Sequence, residues 1–242
     1  MDTLRALELR HSVRSYKDKP IAGKELETLQ SLVAEANKKA GLHIQLVLNQ
    51  PKAFTGFLAS YGKFKNVQNY FAMIGPKGKD EAIGYYGQKL VLEAQKLGLN
   101  TCWVGGSHGK DKDAYDIGRR EKLYIVIPVG YGETQGHPHK TKGFDKLVKT
   151  GGGLDKDPAK WPDWFTAGVK AAQLAPTATN QQAFTLGLDK KGRVELKAGI
   201  GIMTGIDLGI VKYNFEVGAA AAGKKDVKWK RAGPRPSLPP ST

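Results

Sequence analysis

Arg10, Ser12 and Arg14 alternate along the stretch RHSVR at 10–14. In an extended segment they point to one side, and two guanidinium forks with a hydroxyl between them suit a phosphate. The same spacing fits an exposed basic strand paired with nearby carboxylates. A second stretch, TCWVGG at 101–106, ends on Gly105 and Gly106. Glycines there permit close backbone approach or positive φ, so backbone N–H groups can face a flat, electron-rich ring. Alternatively the turn is structural and Trp103 fills core. A third stretch, APTATNQQAF at 175–184, places Asn180 and Gln182 two residues apart. Each amide carries one acceptor and two donors, the mixed set that a pteridine-like edge needs. Helix capping followed by a turn is the competing use of that loop.

These stretches hang on elements that the apolar pattern predicts. Residues 24–40 place Leu26, Leu29, Leu32, Val33 and Ala36 on one helical face, and Gly41 ends the helix. A short helix over 2–9 precedes RHSVR, and HIQLVLN and YFAMIG read as strands. Residues 80–99 form a helix with an acidic start, and LYIVIPVGYG is the strongest strand signal. Residues 133–160 are polar and rich in Gly, Lys and Pro, and read as a long crossing segment. A helix over 162–174, a hairpin from AFTLGL and VELKAGI around DKKG, and an apolar helix over 206–222 complete the chain. Helix, strand, strand, helix thus occurs at 24–98 and again, more tersely, at 162–222.

Composition bounds the function. At 40% hydrophobic and 25% charged residues the chain is an ordinary globular protein, and no apolar run reaches the ~18 residues of a membrane helix. A lone cysteine, Cys102, forms no internal disulfide, and MDTLRALELR has no secretory h-region, so a cytoplasmic enzyme or binding protein is expected. The formal charge of +15 attracts polyanions, nucleic acid and phosphorylated small molecules alike. No groove-reading or base-stacking module accompanies it. Part of the excess sits beyond residue 223, where six basic residues face only Asp226 in a Pro-rich, solvated tail packed loosely on the body. His43, His108, His137 and His139 make no metal-ligand pattern with Cys102, and no metal is expected.

Taken together, the three stretches resemble the nitroreductase family of FMN-dependent oxidoreductases. That family opens with Arg-Arg-Ser-x-Arg, seen here as RHSVR with His11 replacing the second Arg. Its APSAxNxQPW loop is matched by APTATNQQAF, its GLGTCWIGG by GLNTCWVGG, and its GYP with basic residues by GYGETQGHPHKTK. The resemblance implies an α+β fold with a central, mostly antiparallel sheet flanked by helices. It implies Arg10, His11, Ser12 and Arg14 at the FMN phosphate and ribityl chain, and Lys140 and Lys142 closing on the phosphate. Gly105 and Gly106 would lie by the ring, with Pro176, Thr177, Asn180 and Gln182 meeting the isoalloxazine and ribityl. The implied activity is electron transfer from NAD(P)H to a small acceptor, a nitroaromatic or a quinone, with no catalytic side chain. A non-catalytic FMN-binding or electron-transfer protein of the same fold is the alternative.

The order of the motifs departs from the family. The amide loop belongs after the first helix, near residue 40, yet it follows a second helix some 165 residues beyond RHSVR. Family members are homodimers whose partner supplies that loop. The chain therefore resembles a pseudodimeric subgroup in which two halves are fused: residues 1–145 a near-complete half, 146–160 a crossing linker, 161–223 a shortened half, and 224–242 the basic tail. A fused chain of this kind can work as a monomer.

Overall fold

The computed structural model describes residues 1–55, 62–106, 109 and 113–230. His108 and the tail from Arg231 onward lie outside the described residues. Helix α1 (Thr3–Leu9) starts where the Asp2 carboxylate accepts the Arg5 N–H at 2.8 Å. Helix α2 (Gly23–Ala40) buries Leu29, Val33 and Ala36 and stops at Gly41, whose φ of 61° is the left-handed cap expected of glycine. Strands β1 (Gln45–Val47), β2 (Tyr70–Pro76), β3 (Asn100–Thr101) and β4 (Glu121–Gly130) form an antiparallel sheet in the order β1-β2-β4-β3.

Alternation along β2 explains why its residues from Tyr70 to Gly75 are all buried. Phe71 and Met73 point into the main core beneath the helices. Tyr70, Ala72 and Ile74 point into a second cluster with Val13, Phe54 and Cys102. β4 splits in the same way, with Ile125 and Ile127 on one side and Val126 on the other. A strand covered on both faces reads as an unbroken apolar run.

Helix α3 (Asp80–Lys96) packs under this sheet and crosses helix α6 (Thr204–Ala221). The crossing is close because glycines make it so. A Cβ on Gly84 would stand 1.9 Å from the Ile206 carbonyl oxygen, and one on Gly209 would stand 2.1 Å from the Glu81 oxygen. Across the same seam the buried Gln88 amide donates to Asn214 Oδ1 at 2.9 Å and accepts from the Trp103 indole at 3.3 Å. Helix α5 (Asp163–Gln173) packs on the other side of α6, where Gly168 gives room to the Phe215 ring. No helix among the described residues is long and apolar enough to cross a membrane.

Strands β5 (Phe184–Leu188) and β6 (Val194–Ala198) form a separate antiparallel ribbon. The long crossing segment and the start of the basic tail both join it. The crossing segment contains a short helix, α4 (Phe144–Leu147), and Val148 then bridges Leu186 in parallel. On the far edge Trp229 bridges Val194, donates its indole N–H to Glu216 at 2.6 Å and meets the Phe215 ring edge-on. The expectation of a loosely packed tail is thus corrected for its first residues. One half-buried tryptophan anchors them, a signal that the surrounding lysines mask in the sequence.

Candidate functional site

Arg10 caps α1, and its backbone N–H bonds the Ala6 carbonyl. Its guanidinium is only 3% exposed, and Nε and Nη1 have no hydrogen-bond partner among the described residues. Burial lowers its pKa to about 10. A desolvated cation with unmet donors is the arrangement that an anion relieves. Ser12 bridges Thr101, which brings RHSVR alongside TCWVGG. Burial pushes the Cys102 thiol up, while Arg14, a hydrogen bond with Ser12, and Arg10 pull against it, so all three motif side chains act on one sulfur. They differ in setting: Arg14 is exposed, with its guanidinium carbon 6.0 Å from the Phe64 ring centre.

His11 stands in a cationic corner. Burial lowers its pKa first, and Arg10, His139 and His137 lower it further. His139 is held by Nε2 against the Gln173 carbonyl at 3.1 Å. Among the described residues no group of three His, Cys, Asp or Glu side chains could hold a metal ion.

The amide loop uses its side chains on the chain itself. Asn180 Nδ2 donates to the Lys140 carbonyl at 2.9 Å, and Gln182 Nε2 donates to the same oxygen at 2.8 Å. Gln182 Oε1 accepts the Lys142 N–H at 2.8 Å. Lys142 Nζ donates to the Gln181 and Gln182 carbonyls at 2.7 and 3.2 Å, and Gln173 donates to the Lys142 carbonyl. Asn180, Gln182 and Lys142 thus bind the segment 140–142 to the loop, and Lys140 contributes its carbonyl to that join. The loop is strained: Thr179, Asn180 and Gln182 have φ of 49°, 56° and 43°. Non-glycine residues hold such values only where their surroundings over-determine them.

A cavity of about 340 Å³ opens beside this join, and Gly105, Gly106, Pro176 and Thr177 all line it. Two of the three motifs therefore meet there, 70 residues apart in sequence. Trp103 and Ile125 supply the apolar wall on one side, and Met203, Ile206 and Asp207 close the other. Gly106 has open space where a side chain would be, whereas a Cβ on Gly105 would stand 2.6 Å from Met203 Cε.

Gln181, Met203 and Asp207 were not foreseen. Gln181 accepts the Ile202 N–H through Oε1, and its Nε2 donates to the Ile202 carbonyl and to Asp207 Oδ2, both at 2.7 Å. Asp207 also accepts the Ala178 N–H at 3.0 Å. Burial raises the Asp207 carboxyl to about 6, opposed by the Gln181 amide and the Ala178 N–H. Its one sequence signal was a carboxylate in the first turn of an apolar helix. A larger cleft of about 410 Å³ lies on the ribbon between Lys149, Lys190 and Lys230 and contains none of the motif residues.

The model of a family described as "Putative TM nitroreductase" matches residues 2–219. Among solved structures, a "putative nitroreductase" from Thermotoga maritima superposes with a TM-score of 0.70 at 19% identity, covering 96% of this chain and 91% of that one. At that identity the likeness is one of fold. A "putative nitroreductase" in complex with FMN from Desulfovibrio desulfuricans matches at 17% identity over 62% of this chain and 98% of its own, with a TM-score of 0.47. A nitroreductase with bound FMN from Bacteroides fragilis matches at 18% identity over 59% and 94%, with a TM-score of 0.45. No curated protein matches the chain by sequence.

Proposed function

The chain belongs to the nitroreductase family that this model describes, and on that premise we propose that it is an FMN-dependent oxidoreductase. It passes electrons from NAD(P)H to a small acceptor, a nitroaromatic or a quinone. The observation that carries the reading is Arg10, a buried cation whose Nε and Nη1 lack partners among the described residues. It lies in a corner that the Ser12 hydroxyl, Arg14 and three histidines also reach electrostatically or through Cys102. That donor set suits a terminal monophosphate, and the chain has no GxGxxG after a strand for a pyrophosphate.

Bound FMN supplies two-electron redox chemistry at its ring. The chain's residues then bind and orient. Arg10, Ser12 and Arg14 hold the phosphate end, with His11 beside them. Gly105, Gly106, Pro176 and Thr177 line the place for the ring, and the apolar wall excludes water from it. Asn180, Gln182 and Lys142 fix the backbone that joins the two ends. No side chain of the chain has to form a covalent bond with substrate.

We further infer that one chain builds one such site between two fused halves. In support, α2, β1, β2 and α3 recur in type and order as α5, β5, β6 and α6, and the closing helices α3 and α6 pack together. RHSVR and TCWVGG come from the first half and the amide loop from the second.

Purification with absorbance at the flavin bands, heat release and chromatography of the cofactor, and steady-state NADH or NADPH oxidation with a nitroarene test the reading. Yellow protein releasing FMN and oxidising either nucleotide is the expected result. Colourless protein or released FAD refutes it. Bound FMN with no turnover would favour the electron-transfer alternative.

A further inference from the structure

We propose that Met203 is the residue that selects the electron acceptor, held over Gly105 by Gln181 so that the cavity admits small, flat, uncharged rings. This rests on the flavin reading of the same cavity and goes beyond it. Three independent features of the structure point to it.

The first is contact. Met203 lines the cavity, and its thioether lies so near Gly105 that a Cβ there would stand 2.7 Å from Sδ and 2.6 Å from Cε. Met203 thus covers Gly105 from this side. A thioether is apolar and deformable, so it takes the shape of a neighbouring ring without offering it a hydrogen bond.

The second is placement. Met203 has φ 51° and ψ 23°, a left-handed conformation that a non-glycine residue adopts at a cost. The Gln181 side chain holds the preceding residue by both its N–H and its carbonyl. A Cβ on Gly201 would fall 2.2 Å from Gln181 Oε1, so a side chain there would push the clamping amide aside. Asp207 in turn fixes Gln181 and the Ala178 N–H. The strain is thus maintained by a hydrogen-bonded clamp, and the clamp aims one side chain.

The third is chemistry. The segment ahead of Met203 is apolar and exposed: Ile200 fully, Ile202 at 58% and Met203 at 38%. Isolated exposed apolar residues are ordinary, but here Ile202 and Met203 form the rim of a cavity whose walls are Trp103, Ile125, Ile206 and Ile210. The one ionisable group among the described lining residues, Asp207, is already hydrogen-bonded. Among the described residues of that lining an anionic acceptor finds no cation and loses its hydration, whereas a neutral aromatic loses little.

The test compares nitrobenzene, 1-nitronaphthalene and 4-nitrobenzoate as acceptors with NAD(P)H, and measures 1-nitronaphthalene binding to the oxidised, flavin-loaded protein by equilibrium dialysis. Met203→Ala should raise kcat/KM for 1-nitronaphthalene relative to nitrobenzene roughly ten-fold and tighten its Kd in step, because the removed atoms make room for a second ring. Met203→Lys should raise kcat/KM for 4-nitrobenzoate relative to nitrobenzene by about ten-fold. Flavin content and the flavin spectrum should stay those of the parent. Both ratios within about two-fold of the parent's, at equal flavin content, would overturn the assignment. If the Met203 variants do not fold, Ile202→Glu at the exposed rim decides: 4-nitrobenzoate should fall about ten-fold relative to nitrobenzene, and an unchanged ratio overturns the proposal. Protein that purifies without flavin refutes the flavin reading instead, and dialysis of 1-nitronaphthalene against that flavin-free protein and its Met203→Ala variant then reports on Met203, an unchanged Kd overturning the assignment.

Discussion

Replacing Arg10 by methionine should make the flavin-free protein more stable and the flavin-binding protein worse. Most substitutions of a buried residue destabilise, so the expected sign is unusual and follows from the structure. The guanidinium is buried, its Nε and Nη1 have no partner among the described residues, and burial lowers its pKa to about 10. At pH 7 Arg10 is protonated in both folded and unfolded chains. The penalty is therefore fully present there and is relieved only as pH rises past about 10. A depression of this size corresponds to about 3 kcal/mol at roughly 1.4 kcal/mol per pKa unit. Methionine keeps an unbranched apolar stem in the same place and removes the charge. Guanidinium chloride unfolding of flavin-free Arg10→Met should show a gain of up to about 3 kcal/mol. FMN titration of the same protein should show affinity weaker by about ten- to a hundred-fold, the loss of a charge-assisted contact. A flavin-free variant less stable than the parent, or one that binds FMN equally well, would refute the argument that this charge is held ready for an anion.

Asp207→Asn should flatten part of the pH dependence of stability. The folded carboxyl titrates near 6, above its ordinary value of 3.8, so the folded state binds more protons in that window and stability falls as pH rises through it. Melting temperature of parent minus variant, followed from pH 4 to 6, should decline, and a flat difference would count against it. Gly209→Ala inserts a methyl group 2.1 Å from the Glu81 oxygen and 2.6 Å from the Tyr85 nitrogen. Neither backbone can move far, so denaturant unfolding should show a loss of at least about 1–3 kcal/mol, and a neutral result would mean that the α3–α6 crossing is looser than it looks. Flavin absorbance against protein concentration, with light scattering on the same sample, should give one FMN per chain in a particle that is active as a monomer. Two flavins per chain, or loss of flavin when a dimer dissociates, would refute the fused-half reading.

Local patterns were legible in the sequence because their causes are local. The amphipathic face of 24–40, its glycine stop at Gly41 and the apolar run of 70–75 each depend on neighbours within a few residues, and each became the element expected. The motifs were legible as chemistry too, since Arg10 and Ser12 carry donors wherever they fold. Partners were another matter. An amide is competent toward a ring or a carbonyl alike, and the path of 140–142 gave Asn180 and Gln182 the Lys140 carbonyl. The alternation of Arg10 with Arg14 hid that one guanidinium is buried and the other exposed, because burial is decided by what covers each position. Met203 and Asp207 lay in no motif, and Gln181 sat in the amide loop between the two residues whose chemistry stood out. Met203 meets Gly105, and Asp207 lines the same cavity, because glycines 84 and 209 let α3 and α6 cross at backbone distance, which fixes where the start of α6 stands relative to TCWVGG. That distance is a property of packing between residues more than a hundred positions apart, and no window along the chain contains it.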